Sequence, residues 1–175
     1  MKLHYREYAV SEFLRPYVYC CWSVTTECGE TNAWSDIQRC FPAGLVEFIV
    51  HVRGGNSIGI EEGEWHQYPN AFVTGMYNKS AIWKLPYGGE MFGVRFTPEG
   101  AIRLFGTPVQ EFFNTHLDAE SFGGIEMKRL VQYLVESENT PQRIFWMEKA
   151  LYELIRQKPM EETYFNSALK LLRSD

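Results

Sequence analysis

The chain has 175 residues, of which 45% are hydrophobic and 22% are charged. These are the proportions of an ordinary globular domain, and they exclude an intrinsically disordered chain. Lysine and arginine number 17 against 22 aspartates and glutamates, and the net charge of -5 argues against a domain that binds nucleic acid by itself. No stretch reaches the ~18 apolar residues of a membrane span, and no signal peptide is evident, so we expect a cytoplasmic protein that does not contact membranes.

The residue types that usually carry chemistry form no known motif. The four cysteines include no C-x-x-C pair, and no two of the four histidines lie within a few residues of each other. Neither a zinc site nor a cupin-type metal site is therefore expected. The common nucleophile, zinc-protease, Walker and dinucleotide-binding motifs are missing too. We expect no catalytic residue, no metal, no cofactor and no enzyme activity, and we interpret the adjacent Cys20 and Cys21 as small buried hydrophobic residues.

Up to Thr97 the chain carries a β pattern. Short apolar runs are broken by Gly, Pro and Asn at close intervals, which is typical of an antiparallel sandwich or barrel. Strands are predicted at 17–26, 44–52, 57–60, 71–76, 81–85 and 90–96. Five or six strands at this spacing predict a small cupin-like barrel.

After Pro98 the period of the apolar residues lengthens to three or four, as in amphipathic helices. Helices are predicted at 98–105, 125–134, 141–157 and 161–172. The predicted fold class is therefore α+β. An N-terminal antiparallel β-barrel or cupin-like half, residues 1–105, is followed by a C-terminal bundle of about three to four α-helices in residues 106–175.

Two charged residues stand out because they interrupt apolar strands. Glu47 lies in a predicted strand at 44–52 and Arg95 in one at 90–96, where an ionised group is costly to bury unless it is paired. Strand alternation places Glu47 and Ile49 on one face, and the other face carries Val46, Phe48 and Val50. Three interpretations remain open: the two charges pair and stabilise the barrel, they line a ligand pocket, or they are simply exposed.

The aromatic residues of the β half pose a similar alternative. Trp22, Trp34, Trp65 and Trp83 either fill the core or line a concavity that binds a small molecule. His51 and His66 fit a structural or surface role better than a ligand-binding one. With these alternatives open, the candidate residues of a small-molecule pocket are Trp22, Glu47, Ile49, His51, Trp83 and Arg95.

Four segments, in order, resemble the N-terminal regulatory domain of one group of AraC-family transcriptional regulators. Residues 14–22 resemble the opening pattern L-x-P-[YF]-[VI]-x-x-[YF]-W, and residues 41–51 resemble P-D-G-x-x-E-L-[IV]-F-[HN]. Residues 72–75 resemble the strand x-[FV]-[VI]-x-G, and residues 93–101 resemble G-[IV]-x-F-x-P-x-G-[AL]. The chain departs from these patterns at Ala43, where Asp is usual, and at Glu99, where a small residue is common.

This resemblance implies a domain that binds an unknown small-molecule effector inside its barrel and forms a homodimer through its helices. In that family, DNA is bound by a C-terminal domain with two helix-turn-helix motifs. The 175 residues stop where that domain would begin, so we expect DNA contact only through a domain that they do not include. The candidate dimerisation residues are Phe145, Tyr152, Phe165, Leu169 and Leu172. The alternatives are a stand-alone ligand-binding or protein-interaction module and, less favoured, a cupin-like enzyme.

Overall fold

The computed structural model describes residues 3–27, 33–42, 44–105 and 113–157. Within these ranges the strands are β1 (Leu3–Tyr8), β2 (Val18–Thr26), β3 (Gln38–Cys40), β4 (Val46–Arg53), β5 (Ile58–Glu61), β6 (Glu64–Gln67), β7 (Ala71–Thr74), β8 (Ala81–Lys84), β9 (Glu90–Phe96) and β10 (His116–Asp118). The helices are a 3-10 turn (Glu12–Leu14), α1 (Pro98–Phe105), α2 (Ala119–Glu136) and α3 (Thr140–Gln157). The predicted α+β class, with a β-rich half followed by helices, is confirmed.

The strands form two antiparallel sheets. The large sheet has the order β1-β2-β9-β4-β7-β10, and the small sheet has the order β3-β8-β5-β6. The predicted closed barrel is wrong, because a barrel needs a continuous ladder of hydrogen bonds around its circumference. Among the described residues no ladder joins the two sheets, and the small sheet ends at the exposed edge strand β6.

Each face of the large sheet packs against a different layer. On β4, Val46, Phe48 and Val50 point to the helix side, whereas Glu47 and Ile49 point to the small sheet. The alternation predicted for this strand is therefore confirmed. Cys20 and Cys21 follow the same rule, since they are buried on opposite faces of β2.

The helices cover the face of the large sheet that is turned away from the small sheet. Their buried residues, including Leu134 and Met147, belong to the same hydrophobic cluster as Phe92 and Val94 of β9. The three predicted helices at 98–105, 125–134 and 141–157 coincide with α1, the body of α2 and α3. The fourth predicted helix, 161–172, lies outside the described residues. None of the described helices has both the length and the apolar character needed to cross a membrane.

Candidate ligand-binding cavity

A cavity of about 470 Å³ lies between the two sheets. This volume falls in the range of small-molecule sites, roughly 300–1,000 Å³. The floor is the inward face of the large sheet, and Ala81 and Trp83 of β8 line the opposite side. Most of the wall is aromatic or aliphatic, and polar groups are concentrated in a few places. The space between the two sheets is therefore open and is not filled by side chains.

Strand register arranges the cavity floor into rows that cross the sheet. Arg95 of β9 lies opposite Glu47 of β4, Glu47 lies opposite Thr74 of β7, and Thr74 lies opposite His116 of β10. We call Arg95, Glu47, Thr74 and His116 the polar row. The neighbouring row, two residues away on each strand, is apolar and consists of Trp22, Gly93, Ile49 and Phe72. Polar and apolar surfaces thus run side by side under the cavity.

One end of the polar row is a charged cluster, which we define as Tyr5, Glu7, Glu47 and Arg95. The Arg95 guanidinium donates from Nε to Glu47 Oε1 at 2.7 Å and from Nη1 to Glu7 Oε1 at 3.0 Å. Its Nη2 lies 3.4 Å from the Tyr5 hydroxyl, which itself donates to Glu7 Oε1 at 2.7 Å. Two carboxylates therefore share one guanidinium.

The cluster holds Glu7, Tyr5 and Arg95 in their ordinary protonation states. The hydrogen bond from Tyr5, followed by the charge of Arg95, keeps the pKa of Glu7 low despite some burial. Burial, followed by the hydrogen bond to Glu7, raises the pKa of Tyr5, so its phenol stays a donor. Burial disfavours the Arg95 charge, but attraction to Glu47 outweighs it and the pKa of Arg95 is raised. The predicted pairing of Glu47 with Arg95 is confirmed, and simple exposure is wrong for both.

At the other end of the polar row, His116 is enclosed by aromatic rings. The ring centroid of Tyr68 lies 4.3 Å from the imidazole, and those of Phe72 and Tyr77 both lie at 5.4 Å. The Tyr77 hydroxyl is 2.7 Å from Nε2, and burial lowers the pKa of His116 to about 4. The imidazole is thus neutral at physiological pH. Its buried Nδ1 has no hydrogen-bond partner among the described residues.

Five of the six predicted pocket residues line the cavity: Trp22, Glu47, Ile49, Trp83 and Arg95. Their role in binding an effector stays a prediction. His51 does not line it, because its imidazole is used structurally. Ser57 N donates to His51 Nε2 at 2.9 Å, and Nδ1 lies 3.0 Å from the carbonyl oxygen of Pro69. Both ring nitrogens are therefore occupied, and burial lowers the pKa of His51.

Other predicted residues lie outside the cavity. Trp34 and Trp65 are 39% and 41% exposed, so neither the core nor the pocket interpretation fits them. His66 is on the exposed strand β6, as its surface interpretation requires. Within the described ranges, no group of three or more His, Cys, Asp and Glu side chains could hold a metal ion.

The sequence interpretation missed several cavity residues. Tyr5 and Glu7 belong to β1, whose mixed polar composition gave no strand signal, although their spacing of two places both on the face that lines the cavity. Tyr68, Tyr77 and His116 lie in or beside short segments and meet only because distant strands pair. Pairing register is a tertiary property, so local periodicity does not reveal it.

Gly93 is the floor position where a side chain is least tolerable. The Trp22 indole packs against it, and a Cβ at Gly93 would lie 2.2 Å from Trp22 Cε2. We expect Gly93→Ala to displace the indole and lower the free energy of unfolding by about 1–3 kcal/mol. Urea denaturation followed by circular dichroism and tryptophan fluorescence measures both effects. Trp22→Phe removes the clashing atoms, so the double variant should lose less than the two single variants combined; strict additivity would contradict this packing.

Residues 6–118 match the family described as Domain of unknown function (DUF6597). The match extends from within β1 to the last residue of β10, so it includes the small sheet and, apart from the first three residues of β1, the large sheet with the floor of the cavity. Among curated proteins none matches the chain. Since the match covers more than half of the 175 residues, the chain belongs to the family described as Domain of unknown function (DUF6597).

Proposed function

We propose that this chain is the regulatory domain of an AraC-type transcriptional regulator, which binds a small effector between its sheets and self-associates through its helices. The observation that carries the proposal is the cavity of about 470 Å³, because a module that served only as a scaffold would pack this space with side chains. DNA binding would then belong to a separate domain of the full regulator, in keeping with the net charge of -5.

The AraC-like segments support the proposal because each contributes to the cavity floor. Trp22 comes from the segment 14–22, Glu47 from 41–51, Phe72 from 72–75 and Arg95 from 93–101. Trp22, Glu47 and Phe72 stand at specified positions of these patterns, so part of the resemblance falls on residues that build the site.

A metabolite library tests effector binding by thermal shift. We expect at least one compound class to raise the melting temperature, since a molecule that binds only the folded state stabilises it. A cavity-filled variant, Ile49→Trp, should lose the response while it keeps the circular dichroism of the folded protein. A compound that stabilises both proteins equally binds elsewhere, and a flat response across the library contradicts effector binding.

The proposed self-association surface is a helical aromatic face, formed by Phe13, Tyr133, Phe145, Trp146 and Tyr152. Phe145 is 60% exposed, and its ring contacts Trp146, which stacks on Tyr133 at 4.5 Å. Tyr152 lies two turns further along α3 and contacts Phe13 at 4.8 Å. Contiguous exposed aromatic residues are characteristic of protein interfaces. Of the predicted dimerisation residues, Phe165, Leu169 and Leu172 lie outside the described residues.

A charge placed on the helical aromatic face should weaken the dimer. We expect Phe145→Glu to raise the dimer dissociation constant by about tenfold or more, because an ionised group would be desolvated at the interface. Sedimentation equilibrium over a dilution series measures this constant. Ile37→Glu is the matched control, since Ile37 is 59% exposed and precedes β3 of the small sheet, away from the helices. Equal effects of the two variants, or a wild type that stays monomeric at high micromolar concentration, would contradict the proposed face.

A further inference from the structure

We propose that the cavity binds an organic cation, an ammonium group carried on an aromatic or aliphatic body. The inference rests on the proposed function, in which the cavity holds an effector, and adds the chemical class of that effector. The ammonium would lie at the charged cluster, and the body would lie over the apolar row of the floor.

The first step of the argument is the charge balance of the charged cluster. Glu7 and Glu47 supply two carboxylates, and Arg95 supplies the only cation among the four residues. An anionic ligand would bring a third negative charge to one guanidinium, whereas an ammonium would bring the charges to two and two. Glu47 and Arg95 are only 21% and 27% exposed, so water screens this preference incompletely.

The guanidinium is also largely occupied. Nε, Nη1 and Nη2 of Arg95 are all directed at protein oxygens of the charged cluster. A ligand carboxylate would have to compete with Glu47 and Glu7 for a bidentate arrangement. An ammonium needs only hydrogen-bond acceptors. Arg95 contacts one oxygen of each carboxylate, so lone pairs on Glu7 and Glu47 remain to accept from it.

The aromatic surroundings favour a cation as well. The rings of Tyr5 and Trp22 lie 6.0 Å apart beside the charged cluster, and Trp83 lines the same cavity from the small sheet. The negative faces of such rings attract ammonium groups, most strongly where water is excluded. Lys79 of the 75–80 loop also lines the cavity, but it is exposed, so water screens its charge.

The width of the floor sets the size of the rest of the molecule. Glu47 and His116 are two strands apart, about 10 Å across the sheet, which suits a body of one ring and a short chain.

Isothermal titration calorimetry on the full 175-residue chain tests the charge assignment with three probes of one shape. The probes are 3-phenylpropylammonium, 3-phenylpropan-1-ol and 3-phenylpropanoate. We expect the ammonium to bind about tenfold more tightly than the alcohol. Its charge would gain one cation–π contact with an aromatic ring and the attraction of two carboxylates. The carboxylate should bind more weakly than the alcohol.

Three glutamate variants locate the preference. Glu47→Gln and Glu7→Gln should each reduce the ratio of ammonium affinity to alcohol affinity, because each removes one of the two negative charges. Glu64→Gln is the matched control, because Glu64 is exposed on β6 and outside the cavity. Glu7 is half exposed on an edge strand, so its variant retains the fold and keeps the test decisive even where Glu47→Gln is destabilising.

Each outcome separates this inference from the proposed function. Tighter binding of the alcohol or the carboxylate overturns the organic cation and leaves an effector-binding domain in place. Absence of binding by all three probes also overturns it, while the library screen and the self-association measurement decide the proposed function independently. An ammonium preference that survives both glutamate changes overturns the location at the charged cluster.

Discussion

Replacing Arg143 by methionine is expected to lower the free energy of unfolding by about 3–5 kcal/mol, the usual cost of breaking a buried ion pair from one side. Arg143 lies in the first turn of α3 and is 5% exposed. Its Nη1 donates to Glu90 Oε1 at 2.7 Å, its Nε to the Leu134 carbonyl at 3.1 Å and its Nη2 to the Ser137 carbonyl at 3.0 Å. One side chain therefore ties α3 to the end of α2 and to the start of β9.

The size of the effect comes from what the substitution leaves behind. Among the residues that the structure describes, the Glu90 carboxylate, on a side chain 8% exposed, would keep only Arg53 as an ion-pair partner, at 3.0 Å. The carbonyls of Leu134 and Ser137 would lose the donor that satisfies them in the interior. Uncompensated buried polar groups cost more than the net value of the bonds they made.

Arg53 supplies the matched control, since it contacts the same carboxylate from the solvent side. Its side chain is 70% exposed, so Arg53→Met should cost less than about 1 kcal/mol. Urea denaturation followed by circular dichroism compares the two. Glu90→Gln in the Arg143→Met background should recover part of the loss, because the buried charge is removed with its partner. If the two arginine variants lost equal free energy of unfolding, the buried contact of Arg143 would contribute no more to stability than the exposed contact of Arg53.

Arg143 also shows where sequence periodicity stops being informative. The pattern of α3 predicts the helix correctly, because apolar residues recur every three or four positions. The buried stripe is in fact Arg143, Met147, Leu151 and Ile155, with an arginine at its first position. Apolar periodicity assigns charged residues to the solvent side. It does not predict a buried arginine whose partner, Glu90, lies 53 positions away in the sequence.

The same limit applies to the cavity. Alternation on β4 places Glu47 and Ile49 on the inward face, and the structure agrees. By the same parity His51 should follow them, yet the register shifts between His51 and Arg53, and backbone groups of the 57 and 69–70 segments enclose the imidazole. Alternation along a strand assigns a side chain to one face of the sheet, but the packing of the loops decides whether the side chain lines a cavity on that face.

Whether the strands close into a barrel is the other feature that the sequence does not predict correctly. The six strands with strong apolar runs were predicted, whereas β1, β3, β6 and β10 are short or polar and were not. These four strands lie at edges of the two sheets. Edge strands bury little, so their composition carries a weak signal, and it is the edges that distinguish a closed barrel from two facing sheets.

Acid is expected to destabilise the fold well above the pH at which carboxylates titrate, because of His116. Burial lowers its pKa from the ordinary 6.5 to about 4, so the folded protein holds the imidazole neutral while the unfolded chain protonates it. Above pH 6.5 the buried imidazole therefore does not lower the free energy of unfolding, and the free energy of unfolding decreases as the pH falls towards 4. The loss should be about 2 kcal/mol at pH 5 and about 3 kcal/mol at pH 4.

One neighbouring charge opposes this shift. Glu61 Oε1 lies 3.5 Å from His116 Nε2 and would favour the imidazolium. The Glu61 side chain is 48% exposed and its field is screened by water, whereas the His116 side chain is 12% exposed and surrounded by the rings of Tyr68, Phe72 and Tyr77. Desolvation of the imidazolium is the larger effect, so the neutral form prevails.

Denaturation at pH 7.5 and pH 5 measures the effect in a window where the lowered pKa of Glu7 keeps that carboxylate ionised. In His116→Gln the free energy of unfolding should change less between the two pH values, because an amide does not titrate. The variant also loses ring contacts, so it should be less stable than the wild type at pH 7.5. Burial also lowers the pKa of His51, which leaves a smaller slope of the same sign in the variant. His66→Gln should keep the wild-type slope, since His66 is exposed. An imidazole NMR titration of His116 near pH 6.5 would show instead that water enters the cavity and reaches the ring.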